Sequence, residues 1–240
     1  MLFQWIVLFL IICAVPAISL SGCMGTDKTG GPATSSPEGS VIKETRAATA
    51  GIKLPEPKLT GEMPLEQAIV GRRSVRSFAD SPIKISDVSQ LLWSAQGITD
   101  SSGKRTAPSA MQSYPLEIYV IAVDVTGLAD GIYKYVPDGH QLSIVMEGEV
   151  KETVMPNKAP MYLAITSNPE KLVSKVGDIG KRFAYMEAGH AAQNVCLQAT
   201  SLGLGTVTAA GFQEQVLRGI LALPEGTELL YMMPVGRKSN

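Results

Sequence analysis

The stretch from Lys181 to Leu202 constrains the fold more than any other part of the chain. Ala184, Ala188, Ala191, Val195, Ala199 and Leu202 recur at three- and four-residue spacing, which places them on one narrow face of a helix. Gly203 follows where a left-handed C-cap would end it. The other side carries Glu187, His190, Asn194 and Gln198. A solvated helix face ordinarily takes Lys and Glu pairs; neutral or switchable polar groups in a row suit a helix covered on both sides, where each needs a hydrogen-bond partner. An exposed polar stripe is the plain alternative. The spacing thus predicts a helix that needs cover from a second subunit or a bound cofactor.

The bounds on function come next. A chain of 240 residues with 45% hydrophobic and 18% charged side chains can bury one good core, and a net charge of −1 argues against a nucleic-acid binder. From Met1 to Thr26 there is no charged side chain, and Leu2 to Ile18 is nearly continuous apolar sequence, long enough for a signal peptide and marginal for a membrane span. Leu20-Ser21-Gly22-Cys23 places small residues before a cysteine, the pattern of a lipoprotein signal. Residues 1–22 then read as a lipoprotein-type signal peptide, with Cys23 lipidated; an uncleaved anchor helix is the alternative. Either leaves the protein membrane-anchored on the extracytoplasmic face. Residues 23–60, rich in Gly, Ser, Thr and Pro, read as a flexible tether, and 61–240 as the folded domain. Cys196 is the only cysteine left in that domain and reads as a small core residue.

Within the domain, Pro64–Ile69 predicts a short helix. Ser86 is placed to cap a second, with Ile85, Val88, Leu91, Leu92 and Ala95 inward and Gly97 at its end. Thr99–Thr106 is a polar loop. Leu116–Val125 and Met161–Thr166 read as strands, and Gly131–Tyr135 and Gln141–Val145 flank the turn residues Pro137-Asp138-Gly139 as a hairpin. Thr206–Ala210 and Glu228–Val235 predict the last strands, with a helix over Gln213–Leu221 between them. Helices and strands mix without βαβ alternation, the mark of an α+β fold.

Arg72, Arg73, Ser74 and Arg76 place three guanidinium groups and a hydroxyl within five positions. Such a group offers forked donors to a phosphate and leaves one cation for a second anionic atom; a basic turn at a helix end would look the same. His190 has no second His or Cys at ligand spacing, so no metal site is expected.

Five motifs occur in order over residues 63–238: Arg72-Arg73-Ser74-Val75-Arg76-Ser77-Phe78, Pro108-Ser109-Ala110-Met111-Gln112-Ser113-Tyr114-Pro115, Gly189-His190-Ala191-Ala192-Gln193-Asn194 ahead of Gly203-Leu204-Gly205, Ala210-Gly211-Phe212, and Gly236-Arg237. Together they resemble the FMN-dependent nitroreductase superfamily. The helix end Leu91–Thr99 and the Tyr133-Lys134-Tyr135 hairpin are similar to the branch containing flavin-dependent azoline oxidases of thiazole/oxazole-modified peptide pathways. The resemblance implies a nitroreductase-like fold: a central, mostly antiparallel sheet flanked by helices, with an extensive homodimer interface. It implies FMN as cofactor. Arg72, Ser74 and Arg237 would bind its phosphate with Arg73 helping, and Arg76 would sit by the N1 and C2 carbonyl edge of the ring. Pro108, Ser109, Ala110 and Gln112 would reach the partner's flavin, and the Ala210 and Gly211 N–H groups would face N5. The family branch often has Gly-Ala where this chain has Met111-Gln112. Tyr114 and His190 are the candidates for proton transfer.

Two functions follow from the resemblance. One is a membrane-tethered FMN-dependent oxidoreductase, transferring a hydride through N5 to or from a small or peptide-borne organic substrate. The other is a non-catalytic binding or assembly module on the same fold. The anchoring has its own test. Cys23→Ser is expected to abolish incorporation of a labelled lipid precursor and leave the domain folded; unchanged labelling would rule out the lipidation site.

Overall fold

Strands rich in Val, Ile, Leu and Tyr build the centre of the molecule. The computed structural model describes residues 51–150, 155 and 157–239, all within one unit that spans Arg46–Asn240. Residues 1–50, and with them the predicted signal and most of the predicted tether, lie outside the described residues. Among those described, no helix is long and apolar enough to cross a membrane.

Seven strands form one sheet: β1 (Ile52–Lys53), β3 (Leu116–Ala122), β5 (Gly131–Val136), β6 (Gln141–Glu147), β7 (Met161–Ser167), β8 (Leu204–Thr206) and β9 (Glu228–Arg237). Their order is β1-β6-β5-β3-β7-β9-β8, and every neighbouring pair is antiparallel. A separate short ladder joins β2 (Ile83–Lys84) to β4 (Val125–Thr126). β7 is buried along its whole length, which explains its continuous apolar sequence: both faces of the sheet are covered. On one face, α2 (Ile85–Gln96) and α4 (Ile179–Ser201) pack Leu91, Leu92, Ala188, Ala191 and Val195 onto Ile118, Val120, Leu163 and Met233. On the other, Leu217 of α5 (Glu214–Ile220) and Leu221 join Tyr119, Ile121, Tyr162 and Met232. The fold is α+β with a mostly antiparallel sheet, as the sequence implies. α1 (Leu65–Gly71), α3 (Glu170–Val176) and a 3-10 turn at Ala110–Gln112 complete it.

The long helix forms where its pattern placed it, but its cover differs. Ala184, Ala188, Ala191, Ala192, Val195 and Ala199 are all buried within the chain, because small side chains let α4 lie close against the sheet. The polar row is answered internally as well. Gln90 Nε2 donates to Gln198 Oε1 at 3.2 Å, Asn194 Nδ2 donates to the Thr106 carbonyl at 3.3 Å, and Gln96 Nε2 donates to Glu187 Oε1 at 3.4 Å. The second subunit expected to cover both faces is not what covers these. What stays open is a third side, with Tyr185, Met186 and His190 exposed.

The domain also begins earlier than residue 61. β1 pairs with β6, Leu54 is buried, and Gln90 brackets Lys58 by accepting its N–H at 2.8 Å and donating to its carbonyl at 3.0 Å. Ser89 donates to the Pro55 carbonyl and meets His140 Nε2 at 2.7 Å, while Tyr135 OH meets His140 Nδ1 at 2.8 Å. Burial holds His140 below its ordinary pKa. Side chains from distant elements therefore satisfy a Pro-rich backbone that has little ladder of its own.

Two local readings shift. At the α2 N-terminus Asp87, not Ser86, is engaged, accepting the Lys84 N–H at 3.4 Å. β8 stops at Thr206, and Ala209 rejoins the sheet through one bridge to Met232.

Candidate functional site

The arginine segment leaves α1 and runs along the sheet edge formed by β8 and β9. Val75 N–H donates to the Thr206 carbonyl at 3.0 Å, Ala79 N–H to the Arg237 carbonyl at 2.9 Å, and Ser239 N–H to the Ser77 carbonyl at 3.3 Å. Leu204 pairs with Arg237 across the strands. Arg72, Ser74 and Arg76 are thereby brought to the same edge as Arg237, from opposite ends of the domain. Two glycines permit the approach. A Cβ on Gly205 would lie 2.7 Å from Val75, and one on Gly236 would lie 2.9 Å from Pro160 and 3.1 Å from Phe78; only hydrogen fits there.

The guanidinium groups divide into two kinds. Arg73 donates Nη1 to the Val70 carbonyl at 2.8 Å and to its neighbour's carbonyl at 2.7 Å. It closes the C-terminus of α1 through Nη1 alone. Arg72, Arg76 and Arg237 enter no ion pair among the described residues. Arg72 lies near enough to Cys196 to pull its thiol pKa down against the larger effect of burial, which pushes it up. Cys196 itself is buried in the core, as expected. Ala210 and Gly211 are exposed, and open space surrounds the Gly211 Cα.

The Pro108–Tyr114 loop is strained. Met111, Gln112 and Tyr114 have φ of 54, 50 and 44, left-handed values that cost non-glycine residues about a kcal/mol or more each. Tyr114 N–H donates to Ser109 Oγ at 2.8 Å, Lys175 Nζ to Ser113 Oγ at 2.9 Å, and the Arg105 guanidinium stands 4.4 Å over the Tyr114 ring. A cation on a partly desolvated ring contributes roughly 1 to 2 kcal/mol. Arg105 also donates to Gln96 Oε1 at 2.9 Å, and Gln96 in turn donates to Glu187. Pro108 and Gln112 are exposed, Ser109 and Ala110 half-buried. His190 is exposed on α4, with no hydrogen bond joining it to Tyr114; the two proton-transfer candidates are not brought together. Arg105 and Gln96 were missed as site residues. The signal was Asp100-Ser101-Ser102-Gly103, a turn in which Thr99 N–H donates to the Lys104 carbonyl at 2.7 Å and Ile98 bridges Arg105, returning Arg105 to the end of α2.

With this geometry in place, comparison with known proteins decides the family. The nitroreductase family model matches residues 69–237. The chain belongs to the nitroreductase family. It is 42% identical over 198 residues to MJ1384 of Methanocaldococcus jannaschii, a protein named for the same family, covering 79% of this chain and 98% of that one. A crystal structure from Ralstonia eutropha, named for the family too, superposes with a TM-score of 0.71 at 27% identity, covering 81% of this chain and 92% of the other. A chain of the E. coli microcin synthetase McbBCD complex, solved with truncated pro-MccB17 bound, shares the fold at a TM-score of 0.63 and 20% identity, over 87% and 85% of the two chains.

Nitroreductase-family proteins are flavoprotein oxidoreductases, and the residues here fit a flavin. A phosphate needs donors that are not already engaged, and Arg72, Arg76 and Arg237 are such donors on one edge. Open backbone at Ala210 and Gly211 leaves room for an acceptor atom of a ring.

A buried carboxyl behind the Pro108–Tyr114 loop is shifted far above the ordinary carboxylate range in this nitroreductase-family site. Burial pushes the Glu187 carboxyl up to about 7, against the opposing pull of the Ser109 hydroxyl, the Gln96 amide and Arg105. Its pKa is raised above the unfolded value of 4.5, so the stability it contributes is full below about pH 4.5 and is lost as pH rises through about 7. The loss is on the order of 3 kcal/mol. Urea unfolding at a series of pH values is expected to show this decline in the parent and a flatter profile in Glu187→Gln; an unchanged slope in the variant would place the titration elsewhere.

Proposed function

We propose that the chain is a membrane-tethered, FMN-dependent oxidoreductase that passes a hydride through flavin N5 to or from a small or peptide-borne organic substrate. The observation that carries this reading is that backbone pairing brings the segments bearing Arg72, Arg76 and Arg237 to one sheet edge, with none of the three in an ion pair among the described residues. Arg72, Ser74 and Arg237 hold the phosphate. Arg76 lies further along the same strand, where its cation stabilises negative charge on the reduced ring edge and raises the potential. The Ala210 and Gly211 N–H groups face the hydride-accepting atom. When bound, FMN supplies the electron chemistry, so the reaction does not depend on a hydrogen-bonded pair of acid–base side chains. Tyr114 stands where it can orient a substrate.

The tether rests on the signal pattern and Cys23. On the extracytoplasmic face nicotinamide donors are scarce, and a membrane carrier is the electron partner suited to that place. The peptide-borne substrate class rests on the sequence likeness to azoline oxidases, with the shared fold of the microcin synthetase chain as support.

A homodimer completes the site, through the side that the chain leaves open. Leu65, Ile69 and Val70 of α1 and Tyr185 and Met186 of α4 are exposed, and an isologous interface would cover them. Ala191 and Ala192, buried in the chain's own core, do not belong to it.

Two outcomes are expected. Arg72→Ala should weaken FMN binding by roughly 1.5 to 3 kcal/mol, the scale of a charged hydrogen bond, by equilibrium dialysis; a parent protein that takes up no FMN would favour the non-catalytic module instead. Met186→Glu should shift light scattering from dimer to monomer without lowering thermal stability of the monomer fold; a dimer that survives it would move the interface off α4.

A further inference from the structure

The buried cluster behind the Pro108–Tyr114 loop contains an unequal competition. Glu187 is 2% exposed, and its Oε2 has no hydrogen-bond partner although Oε1 accepts from Gln96. A buried carboxyl oxygen left alone is costly, the more so when charged. Gln96 on α2 and Arg105 and Ser109 on the loop are the groups that bear on this carboxyl. Arg105 is the one cation among them. It acts on Glu187 through space without reaching ion-pair distance, because its guanidinium is committed to Gln96 and to the Tyr114 ring. A guanidinium has five N–H donors, and one hydrogen bond is made here.

We propose that Glu187 is a positioning residue for the Ser109–Tyr114 loop: Glu187 and Tyr114 compete for the Arg105 guanidinium, and loss of the Glu187 proton moves that guanidinium off the Tyr114 ring and onto Oε2. While Glu187 is protonated, the carboxyl is neutral and Arg105 stays over the ring. Once it is ionised, a buried carboxylate with a vacant acceptor outbids a ring face, since a charge-assisted hydrogen bond is stronger than a cation–π contact. The proton leaves to solvent and no bond other than hydrogen bonds changes.

The loop is built to respond. Three of its residues hold left-handed φ, and such strain persists only while surrounding contacts over-determine it. The Arg105 stack is one such contact, beside the Ser109–Tyr114 and Lys175–Ser113 hydrogen bonds and two backbone bonds within the loop. Removing it lets the Met111–Tyr114 segment relax. The burial that raises the Glu187 pKa to about 7 sets this change in the neutral range. Of the two titratable groups that follow along the same hydrogen-bonded set, burial pushes Tyr135 well above its usual range and holds His140 below its own. The consequence for cofactor binding rests on the flavin reading above; the competition itself does not.

The test uses the full chain labelled with ring-¹³C tyrosine, with the Tyr114 resonance assigned through Tyr114→Phe and followed over roughly pH 5 to 9. The parent is expected to show one midpoint near 7. Glu187→Gln keeps the shape and the neutral form, so its Tyr114 signal should stay at the parent's low-pH position throughout, and Arg105→Met should remove the pH dependence as well. A midpoint that survives Glu187→Gln, or a parent signal that does not move, overturns the proposal. FMN affinity measured over the same range should change several-fold in the parent and stay level in Glu187→Gln. A Tyr114 midpoint that depends on Glu187 in a chain that binds no FMN would support the switch and overturn the flavin reading alone.

Discussion

The close packing of α4 on the sheet is the contact on which the rest depends. Alanines at 184, 188, 191, 192 and 199 let the helix backbone approach β3, β7 and β9 where leucines would hold it off, and each is buried. Interiors at this density tolerate little change in volume. The orientation of the helix is then set, and three consequences follow from it at once. Glu187, Asn194 and Gln198 turn toward α2 and the 99–108 loop, Cys196 turns toward Arg72, and Tyr185, Met186 and His190 turn to the open side.

The candidate site is built by a second close approach, at the far edge of the same sheet. Strand-like backbone from residues 74–79 pairs with β8 and with the end of β9, and glycine at 205 and 236 removes the side chains that would block it. The result brings the backbone that bears Arg72 and Arg76 to the same edge as Arg237, and none of the three enters an ion pair among the described residues. Mutual repulsion among guanidinium groups is unfavourable in the absence of an anion. A surface that keeps such a group without internal neutralisation is one suited to bind a phosphate.

The two regions are connected by chemistry rather than by sequence. Arg105 is held by Gln96 from α2 and answers to Glu187 from α4, while the loop it supports carries Pro108, Ser109, Ala110 and Gln112, the residues that the family resemblance associates with the cofactor. A strained loop, a buried acid and a cation shared between them make a unit whose state depends on one proton.

Much of this was legible in the residues because it rests on local periodicity and on motifs that travel as blocks. The α4 pattern, the Pro137-Asp138-Gly139 hairpin, the β7 run and the five ordered motifs identify the elements and the family, since spacing along one helix or strand is a property of the chain itself. Burial of Cys196 followed from the same stripe. What stayed out of reach was every feature that depends on residues far apart. The first described segment looked like a tether because its Pro-rich backbone is satisfied by Gln90, Ser89 and His140, from 32 to 86 positions away in sequence. Arg73 and Arg72 are alike as neighbours, and only the end of α1 separates a helix-closing guanidinium from a free one. The cover of α4 was likewise undecided, because a small-residue face states that something packs closely on it and not which element does. Sequence alone determined the elements, the order of motifs and the family; the tertiary structure decided which polar groups meet, because hydrogen-bond partners are chosen by position in space.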